Sequence, residues 1–210
     1  MVSRSRRPAE QGPPVRLTRT GLRIVAGSLR GRRLETPDWA GLRPSGDRLR
    51  ETLFNVLGQD LSGWRVLDAF AGTGAVGIEA LSRGAAYALF VDRDARALDL
   101  VSRNLARCEL TDRHALLRAT LGEATGPALT ETFDLIFLDP PYEVSPVGAV
   151  GQLESALAPD GLLVVEYARG QRPPRRMGGL ERFREVTAGG SALGFYRRRA
   201  RRDQDEALAS

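Results

Sequence analysis

The sequence predicts an α/β fold: a doubly wound, mostly parallel sheet of about seven strands, with a small β-hairpin ahead of it. Three observations predict it. Short runs of four to six residues, apolar almost throughout, recur between Arg65 and Glu166, as in strands of a parallel sheet covered on both faces. Helical segments separate them, so strand and helix alternate. A glycine-rich loop, Gly72-Thr73-Gly74-Ala75-Val76-Gly77, joins the first such run to the first of these helices.

Each element has its own reason. Residues 1–20 carry Arg4, Arg6 and Arg7 and then Gly12-Pro13-Pro14, and read as a disordered basic arm. Leu22-Arg23-Ile24-Val25 and Arg32-Arg33-Leu34-Glu35 are β-like, with Gly27 and Gly31 between them, which predicts a hairpin. So short a hairpin buries little alone and must pack on something or on a ligand. Asp47 is the expected N-cap of a helix reaching Gly58, with Leu49, Leu53, Val56 and Leu57 on one face and Arg48 outward.

From Trp64 onward the alternation begins. Strands are predicted at 65–68, 87–92, 115–118, 133–138 and 161–166. Helices are predicted at 74–82, 95–106, 147–157 and, weakly, 123–129. Two further strands, 183–187 and 192–197, flank Gly189-Gly190 as a closing hairpin. The segments are therefore 1–20, an arm; 21–60, hairpin and helix; 61–199, the main domain; and 200–210, a disordered tail.

Composition narrows the function. All 31 basic residues are arginine, and the formal net charge is +5. Residues 1–50 hold 12 arginines against Glu10, Glu35, Asp38 and Asp47. A basic first segment on a near-neutral body points to a phosphate-rich partner, although a solubilising tail has the same composition. No run approaches the ~18 apolar residues of a membrane span, and the arginine-rich start has no secretory core. Cys108 is the one cysteine, which suits a reducing cytoplasm. No His/Cys cluster offers a metal site, and His114, beside Arg113, reads as a surface residue.

Gly72, Gly74 and Gly77 satisfy G-x-G-x-x-G between strand and helix, a spacing that serves NAD, FAD and S-adenosylmethionine alike. The neighbours decide between them. Asp68 ends the preceding strand, where it would repel a pyrophosphate but can receive the ammonium of a methionine moiety. Asp92 ends the second strand, where this fold places the acid that accepts both ribose hydroxyls.

The fourth strand runs directly into Asp139-Pro140-Pro141-Tyr142. Such a turn would also form in an ordinary loop. Beside a cofactor loop it has a more specific use. Two prolines remove two N–H donors and leave acceptors, the Asp139 carboxylate and the Pro140 carbonyl. An exocyclic amino group on a base is a poor nucleophile, because its lone pair is delocalised into the ring. Two acceptors holding its N–H bonds aim that lone pair at a sulfonium methyl, and Tyr142 offers a face on which a base can stack. The set points to methylation of a base amino group.

Four blocks then resemble a known family: Arg23-Ile24-Val25-Ala26-Gly27 with Gly31-Arg32; Leu42-Arg43-Pro44-Ser45-Gly46-Asp47-Arg48-Leu49-Arg50-Glu51-Thr52-Leu53-Phe54-Asn55; Leu67 through Gly84; and Asp139 to Tyr142. They are similar to the bacterial 16S ribosomal RNA guanine-N2 methyltransferases of the RsmD family, which modify guanine 966. The resemblance implies a Rossmann-like class I methyltransferase that uses S-adenosylmethionine, releases S-adenosylhomocysteine and needs no metal. It implies cofactor contacts at Asp68, Phe70, Gly72, Thr73, Gly74, Asp92, Arg93, Thr120, Leu121 and Asp139. It implies catalytic roles for Asp139, Pro140 and Tyr142. For 16S rRNA in the assembling small subunit it implies contacts at Arg30, Arg32, Arg33, Arg43, Asp47, Arg48 and Arg50. The chain departs from the family's Gly-Gly at Ala26-Gly27, from its two threonines at Ser45-Gly46, and from its usual acid or amide at Thr120-Leu121. A cytoplasmic monomer without membrane contact is expected. The competing readings are an adenine-N6 methyltransferase of DNA or RNA, an NAD oxidoreductase and a non-enzymatic RNA-binding assembly factor.

Overall fold

The computed structural model describes residues 21–37, 46–121, 129–141, 145–171 and 173–199. The basic arm, the tail, Arg43, Tyr142 and nearly all of the weak helix at 123–129 lie outside these residues.

Eight strands form one sheet: β1 (Arg65–Ala69), β2 (Tyr87–Asp92), β3 (His114–Arg118), β4 (Phe133–Leu138), β5 (Leu157–Ala168), β6 (Arg176–Met177), β7 (Leu180–Ala188) and β8 (Ser191–Arg198). Their order is β3-β2-β1-β4-β5-β8-β7-β6. The first five are parallel and the last three antiparallel. The doubly wound reading holds, with one strand more than expected. The addition is β6, whose two residues are too few to show a pattern.

The helices are α1 (Asp47–Leu57), α2 (Ala75–Ser82), α3 (Ala95–Arg107) and α4 (Pro146–Leu153). Among the boundaries that differ from expectation are two at helix ends. Asp47 is the first helical residue of α1, and Gly46 occupies the cap. The helix after β4 stops early: a 3-10 turn at Glu154–Ala156 follows α4, and Leu157 already belongs to β5. Pro159 explains this, because the residue before a proline is driven to extended backbone. The register of β4 with β5 shifts between Phe133 and Leu135, where this extra length is absorbed.

Two apolar layers cover the sheet. One joins α1, α2 and α3 to β1, β2 and β4 through Leu53, Phe54, Ile78, Phe90, Val101 and Phe137. The other packs α4 on the opposite face through Val150, Leu153, Ile136 and Val165. The N-terminal hairpin forms as expected, with Ile24 N donating to Arg32 O at 2.9 Å and Leu34 N to Leu22 O at 3.0 Å. Leu22, Ile24 and Leu34 are buried in the first layer, so the hairpin packs on the protein itself. Its turn lies on the C-terminal end of α2: Ser82 O accepts from Ser28 N at 2.8 Å, and Ser82 Oγ donates to Ala26 O at 2.6 Å. Gly27 has φ 82°, and a Cβ there would lie 2.0 Å from Ser82 O. That contact explains why Gly27 is retained while its neighbour is alanine.

Candidate active site

Ligands of such sheets bind at the carboxyl ends of the strands, where the strand order reverses. Here the reversal lies between β1 and β4, since β2 and β3 extend to one side and β5 to the other. The loop after β1 is tied to the end of β2. Ala71 N donates to Val91 O at 2.9 Å, and Gly72 N to Asp92 Oδ2 at 3.0 Å. Asp92 Oδ1 accepts from Asp94 N at 2.9 Å, and Asp94 caps α3 by accepting from Arg96 N. Phe70 holds φ 66°, a left-handed conformation that a bulky residue adopts only under constraint.

An open cleft lies beside this loop, lined by Phe70, Val91, Asp92, Arg93, Ala119, Thr120, Leu121 and Pro141. Five residues singled out as cofactor contacts therefore share one wall: Phe70, Asp92, Arg93, Thr120 and Leu121. Their chemistry fits a nucleoside, with apolar and aromatic surfaces for a flat base and a half-exposed carboxylate for a diol. Pro141 brings the Asp-Pro-Pro segment to the same cleft. Asp139 is half-buried, Pro140 is buried and Pro141 is exposed. Asp139 N approaches Ala69 O at 3.5 Å, so the segment starts beside the glycine loop.

Three predicted cofactor residues stand behind this wall. Asp68 is only 2 % exposed, and its carboxylate accepts from Gly77 N at 2.9 Å, in the first turn of α2. Burial pushes its pKa up to about 7, against the lowering by the Gly77 hydrogen bond and with a smaller raising by Asp92. Thr73 is buried, and its carbonyl accepts from Asn104 Nδ2 at 2.9 Å. Gly74 caps α2. Gly77 is required by packing, because a Cβ there would lie 2.3 Å from the Phe90 ring.

The arginines divide. Arg30, Arg33 and Arg48 are exposed, and Arg32 is exposed but pairs with Glu109 at 2.9 Å and with Arg107 O at 3.1 Å. Arg50 is a correction to the RNA-contact reading. Its side chain is fully buried, with Nε 3.2 Å from Glu79 and Nη2 2.9 Å from Asp47, so no phosphate reaches it. Asp47 is half-buried, and its carboxylate pairs with Arg50 and, at 3.7 Å, with Arg23, holding α1 to the hairpin.

Sequence reasoning missed two residues that position the site. Glu79, fully buried on α2, accepts from Arg50, Arg83 and Val25 N, and so joins α2, α1 and the hairpin. The available signal was a Glu79/Arg83 pair four residues apart on an otherwise apolar helix, where a charge must be buried and paired. Asn104, fully buried on α3, accepts from Glu35 N at 2.7 Å and donates to Glu35 O and Thr73 O. It links the hairpin to the glycine loop, and nothing local in the sequence marks it. Cys108 is buried, which pushes its thiol pKa up and makes it a poor nucleophile. Among the described residues no His/Cys/Asp/Glu group could hold a metal, and no helix is long and apolar enough to cross a membrane.

Comparison with known proteins agrees with this geometry. The family described as conserved hypothetical protein 95 matches residues 22–197. A Bacillus subtilis protein, named provisionally as an rRNA methyltransferase, is 38% identical over 183 residues, covering 85% of this chain and 100% of the relative. Ribosomal RNA small subunit methyltransferase D of Escherichia coli strain K12 is 34% identical over 187 residues, covering 88% of this chain and 93% of the relative. The chain belongs to the RsmD methyltransferase family. A solved E. coli structure, named provisionally as a methyltransferase, superposes with TM-score 0.70 at 32% identity, covering 86% of this chain and 99% of that one. The resemblance read from the four sequence blocks is thus borne out, and the family match takes in both the hairpin and β8.

Proposed function

We propose that this protein transfers a methyl group from S-adenosylmethionine to the N2 amino group of a guanine in 16S rRNA, guanine 966 by family resemblance. The observation that carries the reading is the meeting of the Asp92 cleft with the Asp139-Pro140-Pro141 segment at the switch point of the sheet. The names of the relatives supply the rRNA.

The residues divide the work. Asp92 accepts the ribose hydroxyls, and Phe70, Val91, Ala119 and Leu121 enclose the adenine, with Thr120 and Arg93 at its edge. Asp68, behind the loop, favours the ammonium of the methionine moiety through its charge. S-adenosylmethionine supplies the electrophilic methyl. The Asp139 carboxylate and the Pro140 carbonyl accept the two N–H bonds of the guanine amino group and turn its lone pair toward that methyl. Alignment of this kind can lower a barrier by up to ~7–11 kcal/mol. As the nitrogen becomes positive, Asp139 stabilises the charge. Tyr142 stacks on the base. Arg30, Arg33, Arg43 and Arg48, with Arg32 at its pair with Glu109, hold phosphates of the assembling small subunit. The enzyme works as a monomer in the cytoplasm.

Mass spectrometry of 16S rRNA nucleosides from cells with and without the gene tests this. Deletion should remove N2-methylguanosine at one site. Wild-type protein should restore it, and Asp139→Ala should not, while still binding S-adenosylhomocysteine. Unchanged N2-methylguanosine on deletion would refute the assignment.

A further inference from the structure

The methyl-transfer residues discussed so far lie at or just beyond the ends of β1, β2, β3 and β4, yet β5 ends at the same edge of the sheet. We propose that Glu166, on β5 beside Asp139, accepts the N1–H of the target guanine and so sets the base specificity of the site. This deepens the amino-group reading and rests on it.

Register carries the placement. In the parallel pair of β4 and β5, Phe137 lies opposite Val164 and Leu138 opposite Val165. One residue further along lie Asp139, just past the end of β4, and Glu166, still on β5, so a continuation of the same register sets them side by side. Side chains alternate between the two faces of a strand. Phe137 and Val164 belong to the layer with α1 and α2, and Leu138 and Val165 to the layer with α4. Asp139 and Glu166 therefore emerge on the first face together. Adjacent strands lie ~4.8 Å apart, so the two residues start from backbones separated by about the width of a base edge.

Burial adds a second observation. Glu166 is only 8 % exposed and continues the apolar run Leu162–Val165. Packing alone would be served by an aliphatic side chain, so a carboxylate at this position is kept for the hydrogen bonds it can accept. A ligand that brings donors to the end of β5 can use such an acceptor, and guanine does so. Its Watson–Crick edge presents the N2 amino group and N1–H side by side. Asp139 and the Pro140 carbonyl take the amino group, and Glu166 takes N1–H. The edge of adenine pairs one amino group with an unprotonated ring nitrogen. Its lone pair would face the Glu166 carboxylate and be repelled. A site built around a hydrogen bond rejects an analogue that cannot make it. The second carboxylate thus separates guanine N2 from adenine N6, a distinction that the Asp-Pro-Pro-Tyr segment alone does not draw.

The test uses small subunits reconstituted with 16S rRNA carrying either guanine or 2-aminopurine at the modified position. 2-Aminopurine keeps the amino group but presents an acceptor at N1. Wild type should prefer guanine by on the order of 100-fold or more in kcat/KM. Glu166→Gln, whose amide can donate to that nitrogen, should reduce this ratio at least about tenfold while binding S-adenosylhomocysteine as wild type does. Equal use of both bases by wild type would overturn the proposal without any variant. So would an unchanged ratio in Glu166→Gln. Wild-type protein inactive on the guanine substrate would overturn the amino-group reading itself, and this proposal with it.

Discussion

Glu79 and Asp92 are both carboxylates on elements that flank the glycine loop, and the fold uses them in opposite ways. Glu79 is sealed in the seam between α2, α1 and the hairpin, with both oxygens committed to Arg50, Arg83 and Val25 N. Asp92 also accepts two backbone N–H groups, from Gly72 and Asp94, but it sits on the wall of an open cleft. One carboxylate holds elements together, and the other is placed to meet a ligand. A strand end at the switch point leaves a side chain facing solvent, whereas the inner face of a helix does not. Position in the fold thus separates an acid open to a ligand from one sealed in the scaffold.

The largest effect that would break this contrast is on the seam. Glu79→Ala leaves Arg50 and Arg83 buried without their shared carboxylate, and removing one partner of a buried pair costs about 3–5 kcal/mol. Urea unfolding should show that loss. A change below about 1 kcal/mol would mean that the seam opens to water and that Glu79 is not a scaffold residue.

Asp92→Ala should do the reverse. Two charge-assisted hydrogen bonds to a ribose diol contribute about 1.5–3 kcal/mol each. Calorimetry should therefore show S-adenosylhomocysteine binding weakened about 100-fold or more. Stability should fall by less than in Glu79→Ala, about 1–2 kcal/mol, because the freed Gly72 and Asp94 N–H groups lie at the open cleft, where water can take the place of the carboxylate. If stability fell as far as in Glu79→Ala, Asp92 would be scaffold too, and the contrast would fail.

The cleft side of this comparison was legible in the sequence and the seam largely was not. Strand ends announce themselves: apolar runs stop at Asp68, Asp92 and Asp139, and the alternation of strands with helices says which end they share. The closing hairpin was legible from Gly189-Gly190 between two β-like runs. What the sequence hid depends on long-range approach. Asn104 meets Glu35 and Thr73 from 69 and 31 residues away, and no local pattern encodes that meeting. Arg50 shows the limit of reading charge as surface. It stands two residues after the exposed Arg48 in the same basic block, yet a helix turns about 100° per residue and carries it to the inner face. Glu166 was read only as the end of a strand, because its meaning depends on which strand lies beside it.

Asp68 lies between the two cases, and its pH behaviour sharpens the comparison. It is buried like Glu79, but it stands at a strand end like Asp92 and, among the described residues, pairs with no arginine; its carboxylate receives the Gly77 N–H. Its folded pKa is raised from 3.8 to about 7. Below about pH 4 the group is protonated in both the folded and the unfolded chain. Between about pH 4 and pH 7 the unfolded chain has lost that proton and the folded one keeps it. Asp68 therefore makes stability fall as pH rises through this window, and Asp68→Asn should flatten that slope. A ligand ammonium favours the ionised form. Wild-type affinity for S-adenosylhomocysteine should accordingly tighten roughly fivefold between pH 6 and pH 7.5, and the Asn variant should not follow. Parallel pH profiles for the two proteins would place Asp68 with Glu79, as a cap for α2 and nothing more.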